Sequence, residues 1–105
     1  MTETGPTRSQ QREPQRERLV ISVMGADRPG ILSAITRVLA DHQVNIVDIT
    51  QKIIEGLFLC LIVADCSAED RTIVAVRQQV ERTAQQLELK AIIQKERLFR
   101  FMHRV

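Results

Sequence analysis

Residues 25–30, Gly25-Ala26-Asp27-Arg28-Pro29-Gly30, place two glycines, a proline and a pair of opposite charges between an apolar run and a helical pattern. That composition suits capture of a small anion. At a helix start the first four backbone N–H groups lack intrahelical acceptors and the macrodipole presents partial positive charge, so a carboxylate or phosphate is attracted there. The glycines let the main chain turn sharply and approach a ligand with no Cβ in the way, and Pro29, whose missing N–H costs nothing at that point, fixes the first turn. A Walker A loop needs Gly-Lys-Ser/Thr where this chain has Gly30-Ile31-Leu32, and a dinucleotide fingerprint needs a glycine where Asp27 stands. Asp27 also repels a polyphosphate. Beside a zwitterion the same set is complementary: free amides and Arg28 face an α-carboxylate, while Asp27, Asn45 or Asp48 accepts from an α-ammonium. The plain structural alternative is that Asp27 caps the helix, Arg28 is a solvated charge and the glycines only make a tight turn. Asp48, amid Val44, Ile46, Val47 and Ile49, is a costly polar intrusion that demands a partner such as Thr50, Lys52 or a ligand, whereas Asn45 can simply begin a strand.

Other chemistry is poorly provided for. Cys60 and Cys66 are six apart in or just after one predicted strand, so they lie about 20 Å from each other along an extended chain and cannot bridge within it. With only His42 and His103 to add, and no Cys-x-x-Cys pair, a zinc site is disfavoured and the thiols are expected to be reduced and structural. His42 is expected to complement a helix C-terminus rather than act as a general base, since no nucleophile is evident nearby. No catalytic residue, metal or cofactor is expected.

The elements that must position the loop follow from pattern. The chain has 105 residues, 15 basic and 13 acidic side chains for a net charge of +2, and 44% hydrophobic residues, which is room for one small domain with a shallow or shared site. Residues 1–17 hold no apolar side chain besides Met1, two of the three prolines, and three Arg against three Glu, so a disordered polar tail is expected before a single domain at 18–105. Leu19 to Met24 reads as a strand, and Gly30 to Asp41, with Ile31, Ile35, Val38 and Leu39 on one face, as an amphipathic helix. Val44 to Ile54 and Leu57 to Ala64 read as strands joined by a Glu55-Gly56 hairpin. Ser67-Ala68-Glu69-Asp70 reads as a helix N-cap, with Ile73, Val76, Val80, Ala84 and Leu87 along the buried face that follows. Leu89 to about Lys95 alternates as a fourth strand, and a basic, apolar-studded ending runs from about Arg97. The expectation is an α+β domain of order βαββαβ, a four-stranded antiparallel sheet with two helices on one face.

Two helices cover only one face of such a sheet, yet residues 57–64 are apolar at both parities. Either the C-terminal Leu98, Phe99, Phe101 and Met102 fold over the second face or another copy of the chain does, and a homo-oligomer is expected. No apolar run approaches the roughly 18 residues of a membrane span and no signal-peptide layout is present, so a soluble cytoplasmic protein is expected. Residues 90–105 hold five Lys or Arg against Glu96, but with three Phe and no Tyr or Trp in the chain the sequence lacks the aromatic platform of an RNA-binding sheet, and nucleic acid is disfavoured as a partner.

The stretch LVISVMGADRPGILSAITRVLADHQVNIVDITQ, residues 19–51, resembles the first half of an ACT domain, with its Gly-x-Asp-x-Pro-Gly-Ile loop, helix and Val-Asn-Ile strand. Asp48-Ile49-Thr50-Gln51, then Glu55-Gly56 and an apolar strand, is most similar to the small stand-alone ACT proteins; related modules occur in the glycine-cleavage repressor and in formyltetrahydrofolate hydrolase. The resemblance spans residues 18 to about 97. It implies a ferredoxin-like fold, side-by-side or face-to-face homodimers or higher oligomers, and a non-catalytic regulatory role exerted on a partner enzyme or regulator. It further implies an amino-acid-like effector held between two copies, by Gly25, Asp27, Arg28, Pro29, Gly30 and Ile31 of one and Asn45, Ile46, Val47 and Asp48 of the other. The ligand-free alternative is a module in which these residues serve dimerisation alone.

Overall fold

Residues 57–67 bury every second side chain: Phe58, Cys60, Ile62, Ala64 and Cys66 are buried, while Leu57, Leu59, Leu61, Val63 and Asp65 between them keep contact with solvent. This alternation is the pleat of a strand packed on one face. The computed structural model describes residues 15–102, and within them the elements are β1 (Arg16–Ala26), α1 (Ile31–Asp41), β2 (Asn45–Ile54), β3 (Leu57–Ser67), α2 (Asp70–Gln86), β4 (Lys90–Lys95) and α3 (Glu96–Met102). The strands form one sheet in the order β2-β3-β1-β4, antiparallel at each pairing.

The core lies between this sheet and α1 and α2. Leu19, Ile21 and Val23 of β1 and the buried row of β3 meet Ile31, Ile35, Val38 and Leu39 of α1 and Ile73, Val76, Val80 and Ala84 of α2, with Leu87 packed at its margin. These are the helical faces that the 3.6-residue periodicity predicts. Burying one such aliphatic side chain is worth about 1.5–3 kcal/mol, so these rows fix which way each element faces.

Both helices end in the same device. Gln43 and Glu88 adopt left-handed φ of 58° and 59°, the amides of Val44 and Leu89 donate back to the carbonyls of Leu39 and Ala84 at 2.8 Å, and Val44 and Leu89 are buried. These are Schellman closures, each delivering the chain directly into the next strand. The Glu55-Gly56 connection has φ of 49° and 83°, which is the two-residue hairpin turn predicted, with Gly56 where left-handed φ favours it.

Several expectations are modified. The expected tail lies outside the described residues except for 15–17, and of these Arg16 and Glu17 already belong to β1, pairing with Ser67 and Cys66. Ser67 is not the cap of α2: Glu69 holds that position without a side-chain cap bond, and the Ser67 hydroxyl instead accepts from the Glu69 amide at 3.2 Å. The basic ending begins as α3, which packs on β1 and β4, with Leu98 exposed and Phe99 half-buried; residues 103–105 lie outside the described part. Among the described residues no helix is long and apolar enough to cross a membrane.

Candidate functional site

The loop between β1 and α1 is held from three sides. The Asp27 amide donates to the Gly56 carbonyl at 2.8 Å, tying the loop to the hairpin between β2 and β3. Arg28 Nη1 donates to the Leu87 carbonyl at 3.3 Å, at the C-terminal end of α2, where a cation complements the macrodipole. Gly25 packs against the turn after α2: a Cβ there would stand 2.5 Å from Leu89 Cδ2 and 3.3 Å from Leu89 Cα. Gly25 is therefore demanded by close approach, while Gly30 is demanded by its backbone, with φ of 87° and open space around it.

Gly30 is also the N-cap of α1, which has no side-chain cap bond. The structural alternative in which Asp27 caps the helix is thus not realised. The Gly30 carbonyl accepts from the Ala34 amide at 3.0 Å and from the Ser33 hydroxyl at 3.2 Å, while the first-turn amides from Ile31 onward precede any intrahelical acceptor. Pro29 and Arg28 are exposed and Ile31 is buried in the core. The arrangement leaves a shallow positive terminus with Asp27 beside it, suited to a group that carries both signs of charge.

The second set sits elsewhere. β2 begins at Asn45, which pairs with Asp65 at the far end of β3, whereas Ala26 pairs with Leu57 at the near end. Asp48, the member of the second set nearest the loop, pairs with Val63, six residues along β3 from Leu57, so the two sets are about 20 Å or more apart along the sheet and a single chain does not close them into one site. They are not all on one face either. Ile46 packs against the helix-side core and borders a groove of about 570 Å³ with Ser33, Thr36, Arg37 and Ala40 of α1. The register then slips between Ile46 and Asp48, so Val47 is an extra residue and Asp48 falls opposite Val63 on the face turned away from α1 and α2.

That bulge corrects the reading of Asp48 as a polar intrusion. Without it Asp48 would point to the core and Ile49 to solvent; with it Ile49 packs on the core and Asp48 is exposed and needs no partner. Asn45 and Val47 are exposed as well. Sequence reasoning missed Gly56, Leu87 and Leu89, which anchor the loop; the Glu55-Gly56 turn was visible, but its contact with Asp27 is made only by the fold.

His42 is the C-cap of α1, as expected, and its Nδ1 lies 2.9 Å from the Val38 carbonyl, an acceptor, so Nδ1 carries the proton. Cys60 and Cys66 are free and buried. Burial pushes both thiols above their ordinary range; at Cys66 the neighbouring Arg16 opposes this while Asp65 and Glu17 add to it. Among the described residues no group of three His, Cys, Asp or Glu side chains could hold a metal ion.

Comparison with known proteins adds the following. The ACT domain pattern matches residues 17–94. A UPF0237 protein of Methanopyrus kandleri is 40% identical over 88 residues, which cover 84% of this chain and 98% of that protein. An ACT domain protein from Streptococcus pneumoniae has the same fold with a TM-score of 0.68 and 29% identity, over 79% of this chain and 93% of that one. A candidate glycine cleavage system transcriptional repressor matches with a TM-score of 0.69 and 25% identity, over 76% of this chain but only 46% of the repressor, so this chain spans a little under half of that protein's length.

Proposed function

The chain belongs to the ACT-domain family, a regulatory family of small-molecule-binding modules, and from that premise we propose that it is a non-catalytic cytoplasmic sensor of an amino acid or amino-acid-like effector. The effector lies between two copies, with Gly25, Asp27, Arg28, Pro29, Gly30 and Ile31 of one copy on one side and Asn45, Ile46, Val47 and Asp48 of the other opposite. The observation that carries this reading is the uncapped N-terminus of α1 behind a left-handed Gly30, with an exposed Asp27 three residues before it. The donors receive a carboxylate and Asp27 receives an ammonium. Signal transmission follows if the effector binds one assembly better than another, since only differential affinity shifts a population.

A second reading rests on the internal bonds of the same loop. With Arg28 on the Leu87 carbonyl and the Asp27 amide on Gly56, the loop serves as a structural clasp and the module acts through dimerisation alone. Thermal-shift and calorimetric titration with each of the twenty amino acids separates the two. The effector reading expects a rise in melting temperature with at least one of them, lost in Asp27→Ala and reduced in Asp48→Ala. Silence across the panel, with both variants folded, leaves the clasp reading standing.

A further inference from the structure

The loop at residues 25–30 meets the turn that leads out of α2 at two separate points. Arg28 Nη1 donates to the Leu87 carbonyl at 3.3 Å, and Gly25 lies so close to Leu89 that a Cβ would stand 2.5 Å from Leu89 Cδ2. Between these points is Glu88, at a left-handed φ of 59°. Its amide donates to the Gln85 carbonyl at 3.0 Å, and that of Leu89 to the Ala84 carbonyl at 2.8 Å. Leu87 is the C-cap of α2, and the last turn of that helix holds no basic residue. Arg28, from a different element, supplies the cation that the end of α2 lacks in its own sequence.

Strand register sets two opposite helix ends at one end of the molecule. β1 pairs its Met24 with Lys90, where the chain leaves the α2 turn, and runs on to Ala26, just before the loop into α1. The positive end of α1 and the negative end of α2 therefore share that end, with Arg28 in the loop between them. In the free chain Arg28 serves the negative end. Its side chain is exposed, so a carboxylate reaches it without opening the core. A carboxylate at the α1 amides offers the guanidinium a stronger, charge-assisted partner than a neutral carbonyl does.

We propose that Arg28 is a latch that exchanges partners, holding the Leu87 carbonyl in the free chain and the effector's carboxylate in the bound one. Release leaves the end of α2 without its cation and loosens the turn at residues 87–89. That turn opens into β4, and α3 begins at Glu96, the residue after β4 ends; α3 packs back on β1 and β4. An event at the loop is thereby passed to the C-terminal element. The proposal rests on the effector reading and joins it to the clasp reading: the internal bonds belong to the free state, the effector contacts to the bound one. The latch biases the two states only by the difference between these contacts.

The test is amide hydrogen exchange of the full chain, followed by NMR. Arg28→Ala is expected to speed exchange of the Glu88 and Leu89 amides about two- to fivefold, as for loss of a cation from an exposed helix end. The core amides of Ile21 and Val76 are expected to be unchanged, and Arg28→Lys to recover part of the protection. Sodium acetate, the probe carboxylate, is expected to speed the same two amides saturably in the wild type and not in Arg28→Ala, relative to sodium chloride at equal ionic strength. Unchanged exchange in Arg28→Ala, or acetate that leaves both amides unmoved, overturns the latch. An amino acid that raises the melting temperature while Glu88 and Leu89 keep their protection also overturns it, and leaves the effector reading in place. Silence across the amino-acid panel, with acetate still releasing the turn, strikes the amino-acid effector and supports the latch.

Discussion

At Asp48 a single carboxylate changes meaning with one inserted residue. Read along the chain it interrupts a buried strand; in the sheet the bulge at Val47 rotates it to solvent and returns Ile49 to the core. Arg28 shows the converse, an exposed charge in a glycine loop that the fold itself occupies at the end of α2. The two thiols are a third case. Cys60 and Cys66 sit in the core row of β3, where burial raises their titration range and disfavours the thiolate. Alkylation by iodoacetamide at about pH 8 is therefore expected to be far slower in the native chain than in urea. The linked effect on stability has a definite sign. A folded pKa above the unfolded one gives stability that is complete below the unfolded value and is lost as pH rises past it. The denaturation midpoint is expected to fall above about pH 9, and to fall less in a Cys60→Ala/Cys66→Ala chain. An equal alkaline loss in both chains would remove the thiols from the explanation.

At the scale of elements, the two β-α-β halves are closed by the same motif with the same compromise. Gln43 and Glu88 occupy the left-handed position that glycine fills at least cost, and both side chains are exposed. Replacing either with glycine is expected to stabilise the fold by about 0.5–1 kcal/mol, measured by urea denaturation, because the relief of left-handed strain exceeds the added freedom of the unfolded chain. A loss of stability in both variants would show that these side chains hold contacts worth more than the strain. The helices themselves were legible from periodicity, and so was the hairpin, since Glu55-Gly56 between two apolar runs leaves few alternatives. The cap of α2 was misplaced by two residues because Ser67 satisfies the Glu69 amide in a turn before the helix begins.

For the whole molecule the decisive feature is asymmetry between the two faces of the sheet. One is sealed by α1 and α2; the other presents Leu57, Ile54, Met24 and Ile92 at 38–49% exposure. Under the two-copy reading proposed above, association ties folding to concentration, so the melting temperature is expected to rise as the chain is concentrated from low to high micromolar. A melting temperature independent of concentration in a chain shown to be dimeric would mean that association adds little to folding. Nucleic acid gains no support from this face, because Phe58, the aromatic residue of β3, points into the core and offers no platform for stacking.

What the sequence settled by itself is local and periodic: where strands and helices run, which helical residues are buried, and that residues 25–30 form a turn into a helix start. These follow from side-chain spacing and from backbone preferences of glycine and proline, which act over a few residues. The tertiary structure alone decided that Arg28 reaches α2, that Gly25 must clear Leu89, that Asp48 faces outward and that the two halves of the candidate site lie at opposite ends of one sheet. Each of those depends on strand register and on contacts between segments dozens of residues apart, and one bulge is enough to reverse the face on which a residue does its work.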